Sequence, residues 1–192
     1  MNQGIELIFS RKSISALTEP VPNKNDLELI LQAATTVPDH NQLKPYRFVI
    51  VSGENRDSFA EALVSVAKSK RPHMNEQELK KVSQKAYAAP MQIVIISSLQ
   101  ESKIPYWEQE ATVACTGYAI ALATHSLGYG AIWKSFGMEG NELNKLFNLK
   151  NNEKMFGWIN IGTPKTSNSE PRQLVKLEDY VSILKNDKLE QF

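Results

Sequence analysis

One cysteine, three histidines and no excess of either charge set the first limits on this 192-residue chain. Cys115 alone rules out an internal disulfide and a metal cluster built on thiolates. Lysine and arginine total 22 against 21 acidic residues, so no long-range field gathers nucleic acid or anionic lipid. His40, His73 and His125 are scattered and no H-E-x-x-H occurs, so no metal site is expected. The opening MNQGIELIFSRKS lacks a charged region leading into a long apolar core. No export signal is expected, and a reducing cytoplasm is the expected home.

Recognisable catalytic loops are missing as well. GTPK lacks the spaced glycines of a phosphate loop, and no G-x-S-x-G elbow exists. Gly128 and Gly130 form G-x-G, but a strand follows where a dinucleotide loop needs a helix. Nothing points to a carboxylate pair for glycoside hydrolysis. A chain so equipped needs a cofactor to carry difficult chemistry.

Composition is that of an ordinary globular domain, 42% apolar and 22% charged, and a single domain over 1–192 is expected. A short helix ends near Ser10, and a helix capped by Asn25 or Asp26 runs from Leu27 to about Thr36. Arg47–Ser52 and the apolar Met91–Ser98 read as strands, the second covered on both faces. Between them, Glu54–Ser69 and the polar Asn75–Tyr87 read as helices, making 65–90 a helical excursion over a surface.

A helix starting near Pro105, where Glu108 suits the first turns, becomes apolar on all sides through Val113–Ala123. The uncharged run Ala111–Trp133 is long enough to raise a membrane span, but its threonines, His125 and paired glycines read as a buried helix and a turn. Cys115 within it is expected to be a buried packing residue. GAIWKSF reads as a strand, Glu139–Phe147 as a helix and MFGWINIGTP as a last core strand. The tail 165–192 is expected to wrap something, a second subunit being the natural candidate.

Two stretches carry more polar chemistry than connectors need. SRKS, Ser10 to Ser13, sets two cations beside two hydroxyls after a helix. That suits a phosphate monoester, although the tetrapeptide alone reads more readily as a solvated corner. TTVPDHNQLKPYRFVIV, Thr35 to Val51, puts two prolines and Asp-His-Asn before a strand, far longer than the usual connection of about 4–6 residues.

These stretches fall into a pattern. IFSRKSISAL resembles the RRS opening of the nitroreductase family of flavoproteins, and VPDHNQLKPYRFVIV resembles that family's APxxxxxQPWxF loop and strand. WEQEATVACTGYAIALATHSLGYGAIWKSF is similar to its core helix, glycine turn and strand, and GWINIGTP to GxxxIGxP. The blocks occur in the family's order. PDH, WEQE and GAIWKS resemble its compact, YdjA-like branch.

The resemblance implies an α+β fold with a central, mostly antiparallel sheet flanked by helices, in an intertwined homodimer holding FMN at the subunit interface. It implies an NAD(P)H nitroreductase: hydride passes from NADH or NADPH to FMN and then, by ping-pong turnover, to a nitroaromatic, quinone or similar electron-poor acceptor. Desaturation or dehalogenation on the same fold, or flavin binding without turnover, are the alternatives.

By the same comparison Arg11, Lys12 and Ser13 form one flavin-contacting triplet and Trp133, Lys134 and Ser135 another. Thr36 and His40 would reach the other subunit's flavin. Ala123, Thr124, His125, Ser126, Leu127 and Gly128 align with a nicotinamide-nucleotide segment. Lys12 and Lys134 stand where arginine is usual, Thr36 where a basic residue is, and Tyr46 where tryptophan is common. Read by themselves, His40 is also a natural turn residue and Trp133 a natural core residue. A fixed cation such as Lys12 or Lys134 near N1 and O2 of a reduced flavin would raise its potential. No catalytic side chain is expected beyond the flavin.

Overall fold

β3 (Met91–Ser98) runs through the middle of the molecule, and its residues 91–97 are all buried. Its side chains alternate between two apolar clusters, Val94 and Ile96 on one side and Ile93 and Ile95 on the other. That double cover explains why the run shows no polar alternation. The computed structural model describes residues 2–135, 139–166 and 172–192.

β3 pairs antiparallel with β2 (Tyr46–Ser52) and with β5 (Glu153–Pro164). The other edge of β5 carries β1 (Leu17–Thr18) and β4 (Gly130–Lys134), also antiparallel. On one face lie α3 (Asn55–Lys70), α4 (Glu76–Ser83) and α6 (Asn141–Leu146), with Phe59, Leu63, Leu143 and Trp158 in their core. On the other lie α2 (Lys24–Ala34) and α5 (Tyr106–Ser126), packed through Ile30, Val113 and Ile120 onto Ile159 and Ile161. α1 (Gln3–Ser10) has no buried residue.

Helix starts follow side-chain caps. Asn75 and Glu78 form a reciprocal capping box at α4. At α2 the cap is Asn23, not Asn25 or Asp26: its Oδ1 accepts from the Asp26 N–H at 3.0 Å, and its Nδ2 donates to Asp26 Oδ2 at 2.8 Å. Asp26 is thus the partner of the cap, and the helix begins a turn earlier than the apolar pattern implies. β1 has no strand pattern of its own; two residues pair with the end of β5.

Cys115 is exposed rather than buried. The sheet-facing side of α5 buries Val113, Thr116, Gly117 and Ile120, while Cys115 and Tyr118 are exposed on a side that no described element covers. Among the described residues no helix is long and apolar enough to cross a membrane. The strand expected over GAIWKSF spans Gly130–Lys134, and its Phe136 lies outside the described residues.

The excursion does not stay on a surface. A 3-10 turn, Gln84–Tyr87, returns it to the sheet, where the buried Gln92 Nε2 donates to Ala86 O at 2.8 Å and Ala89 O at 3.0 Å. The C-terminal segment is different in kind. Part of it, 167–171, lies outside the described residues, and every residue of 172–192 is exposed. It ends in a hairpin, β6 (Ser182–Lys185) and β7 (Lys188–Gln191), turned by Asn186 and Asp187 at φ 47° and 60°.

Candidate functional site

The site begins at β4. Ser13 bridges Ala131 in parallel, and the Ile14 N–H donates to Ala131 O at 2.9 Å. This lays the Arg11–Ser13 triplet along the start of β4, whose far end carries Trp133, Lys134 and Ser135. From Ala131 to Lys134 the strand rises about 10 Å, at roughly 3.3 Å per residue. Two triplets more than a hundred residues apart in sequence thereby mark the two ends of one short strand.

Trp133 both packs and lines. Its ring fills a gap left by two glycines: a Cβ at Gly117 would fall 2.1 Å from the ring, and one at Gly157 2.4 Å from Nε1. Gly157 has φ 149°, which L side chains rarely adopt. Trp133, Lys134 and Ser135 also border a cavity of about 610 Å³, together with Lys81, Lys85 and Trp158. That volume lies inside the roughly 300–1,000 Å³ of small-molecule sites. The three lysines make its walls cationic.

Lys81 and Lys85 are absent from the sequence-based site. They lie four residues apart, one helical turn, on a polar segment that reads as a solvated face. The available signal is positional: a Lys-x-x-x-Lys pair shortly before the proline that opens the central strand. Gln92 holds the turn between them and the sheet, as described above.

The opening triplet has support from behind. Ser10 Oγ and His125 Nε2 are hydrogen-bonded at 2.8 Å, joining the ends of α1 and α5. Burial lowers the pKa of His125, and the nearby Arg11 charge lowers it further. Among the described residues, Arg11 Nε is enclosed without a hydrogen-bond partner, as is Thr124 Oγ1. The 123–128 segment therefore stands beside Arg11. Thr124 is buried, Ser126 Oγ donates to Ala123 O at 2.8 Å, and Ser126, Leu127 and Gly128 are exposed.

Thr36 and His40 do not line the cavity. Thr36 Oγ1 donates to Ala33 O at 2.9 Å just after α2, and is exposed. His40 sits in a loop whose backbone is left-handed at Asn41, Gln42 and Lys44, φ 61°, 52° and 49°. Asp39 holds that shape: its carboxylate accepts from Leu43 N at 3.1 Å and Lys44 N at 2.7 Å. Thr112 Oγ1 donates to Pro38 O at 3.0 Å, and Gln100 Nε2 to Leu43 O at 2.6 Å. His40 Nδ1 lies 2.8 Å from Glu108 Oε1, in the first turn of α5. Glu108 is a third residue that sequence reasoning leaves outside the site, because its partner is 68 residues away.

Comparison with known proteins matches this arrangement to one group. The model of the Nitroreductase family matches residues 8–163, most of the chain. "Putative NAD(P)H nitroreductase YdjA" of Escherichia coli (strain K12) is 30% identical over 164 residues, 84% of this chain and 88% of that protein. Among solved structures, a nitroreductase-like family protein from Bacillus cereus superposes with a TM-score of 0.81 at 20% identity, covering 97% of this chain and 98% of that one. The FMN and NADPH-dependent nitroreductase NfnB of a Sphigopyxis strain gives 0.75 at 15% identity, covering 93% and 97%. The matched residues include both triplets, the polar loop and all of the five-stranded sheet except the last residue of β5, and on that evidence the chain belongs to the Nitroreductase family.

Proposed function

We propose that this chain is an NAD(P)H-dependent FMN oxidoreductase acting by ping-pong turnover on nitroaromatic, quinone or similar electron-poor acceptors. The observation that carries the reading is the Ser13–Ala131 bridge, which strings an Arg-Lys-Ser triplet and a cationic cavity along one strand. A flavin mononucleotide needs both: donors for a phosphate at one end and a flat-walled, cationic cleft at the other.

The chain's residues fit that cofactor. The enclosed Arg11 Nε is a donor with no hydrogen-bond partner among the described residues, and a phosphate oxygen would satisfy it. Lys12 adds charge and Ser13 a hydroxyl. Trp133 offers a rigid ring held by Gly117 and Gly157. Lys81, Lys85 or Lys134 would place a cation where a reduced flavin gathers negative charge. FMN, once bound, supplies the hydride acceptance and donation that no side chain here provides.

A homodimer is part of the proposal. Three uncovered surfaces support it: α1 with Ile5, Ile8 and Phe9 exposed, the Cys115–Tyr118 side of α5, and the segment 172–192. Thr36 and His40, outside their own chain's cavity, would then face the neighbouring subunit's flavin.

The test is direct. Purified protein reconstituted with FMN should be yellow, and anaerobic NADH or NADPH should bleach it. Arg11→Ala should weaken FMN binding by about tenfold to a hundredfold, for the loss of a charged hydrogen bond of about 1.5–3 kcal/mol. Protein that takes up no FMN at millimolar concentration overturns the reading.

A further inference from the structure

We propose that Glu108 is a positioning residue for His40, and that the pair delivers the proton that accompanies hydride transfer to an acceptor oxygen. This rests on the proposed function, specifically on His40 facing a flavin cleft.

The geometry is specific. Glu108 Oε1 and His40 Nδ1 are 2.8 Å apart, so the carboxylate takes the Nδ1–H and fixes the tautomer. Nε2 is left as the outward nitrogen, since the imidazole is 56% exposed while the carboxylate is 32% exposed. Glu108 itself lies in the first turn of α5, a rigid element that fixes where its carboxylate stands.

The loop is built to hold this orientation. Non-glycine residues at positive φ cost of order 1–3 kcal/mol each and persist only where the surroundings impose them. Here there are three, at 41, 42 and 44, clamped by Asp39 and tied to α5 through Thr112. A turn that merely linked α2 to β2 would have no use for such anchoring. What the clamped loop presents is one imidazole, backed by a carboxylate from another element. Orientation by a third group is the pattern of a proton-transferring histidine.

The chemistry balances. When a quinone or nitro compound receives hydride, two electrons and one proton arrive, and the acceptor oxygen still needs a second proton source. The imidazolium gives its Nε2 proton to that oxygen, the N–H bond breaking as the O–H bond forms. The neutral imidazole left behind regains a proton from water. Glu108 keeps its hydrogen bond to Nδ1 throughout and holds the ring in place.

The experiment uses full-length protein, with and without FMN, as the native form, Glu108→Ala and Glu108→Gln. Nitrogen-15 spectra of the imidazole should show Nδ1 protonated in the native protein and in Glu108→Gln, which keeps an oxygen at that position. Glu108→Ala should lose that preference. Stopped flow should then show reoxidation by a quinone slowed about tenfold more than bleaching by NADH in Glu108→Ala, the scale of removing a histidine's orienting partner. The solvent deuterium effect on reoxidation should disappear with it, and Glu108→Gln should fall between. Circular dichroism and FMN content check that each variant is folded. A native Nδ1 without a proton overturns the inference. So does native reoxidation with a native isotope effect in a Glu108→Ala protein whose tautomer has changed. A native protein that never takes up FMN removes the proposed function and this inference together, and is distinguished by its lack of colour.

Discussion

β3 and the β6–β7 hairpin are both built from antiparallel strands, yet they occupy opposite extremes of burial. β3 has seven consecutive buried residues. The hairpin has none, with Leu184 68% and Leu189 74% exposed. An isolated two-stranded hairpin is marginal in water, since one pair of strands buries too little apolar surface to offset the entropy of ordering it. The difference teaches that strand pairing alone does not decide burial. β3 is held by layers on both its faces, and the hairpin has none of its residues covered by the described part of the chain.

The largest break should come on the β3 side. Phe59 is fully buried and meets Phe147 and Trp158 edge-on, at centroid distances of 5.7 and 5.4 Å. Phe59→Ala should cost about 3–5 kcal/mol in denaturant titration, through the cavity it leaves above β3.

Next in size is the ion pair at the end of the sheet. Arg47 donates through Nε and Nη2 to both oxygens of Glu153, whose side chain is 1% exposed. Arg47→Ala would strand that carboxylate and should cost about 3 kcal/mol, the low end for a broken buried pair because the guanidinium is itself one-third exposed. The Arg47 hydrogen bond holds Glu153 below the usual carboxylate range. The unfolded chain therefore binds more protons as acid is added. The stability from this pair is complete above the ordinary value of 4.5 and is lost as the pH falls through the lower folded-state value. Arg47→Ala should flatten that acid slope, which unfolding titrations across pH 2–6 would record, roughly the range that brackets carboxylate titration.

The smallest expected effect on the folded protomer lies at the other pole of the comparison. Removing 167–192 should change the unfolding free energy of dilute protein by about 0.5 kcal/mol or less, as surface changes do. If the proposed homodimer forms through this segment, sedimentation should instead show its dissociation constant rising about a hundredfold, some 2.7 kcal/mol. If unfolding shifts and association does not, the hairpin belongs to its own chain after all.

Much of the fold is legible in the sequence because its signals are local. The Asn75–Glu78 capping box, the apolar run of β3 and the proline before α5 each declare themselves within a few residues. What escapes reading is decided by partners remote in sequence. β1 is a strand only because β5 offers it an edge. Cys115 lies in an apolar stretch, and periodicity says that such a helix is covered without saying by which chain. The two triplets of the site carry motif signals, whereas Lys81, Lys85 and Glu108 gain their places from groups remote in sequence: Lys81 and Lys85 border one cavity with Lys134, and Glu108 meets His40 at 2.8 Å. A salt-bridging glutamate or a pair of helical lysines looks the same in sequence whether it faces solvent or a cleft.

The seating of Trp133 between Gly117 and Gly157 has a mechanical consequence. An indole wedged into two side-chain-free notches acts as a bolt through helix and sheet, so α5 cannot slide along β5 without withdrawing it. Trp133, which borders the cleft, is thereby tied directly to the helix that bears Glu108.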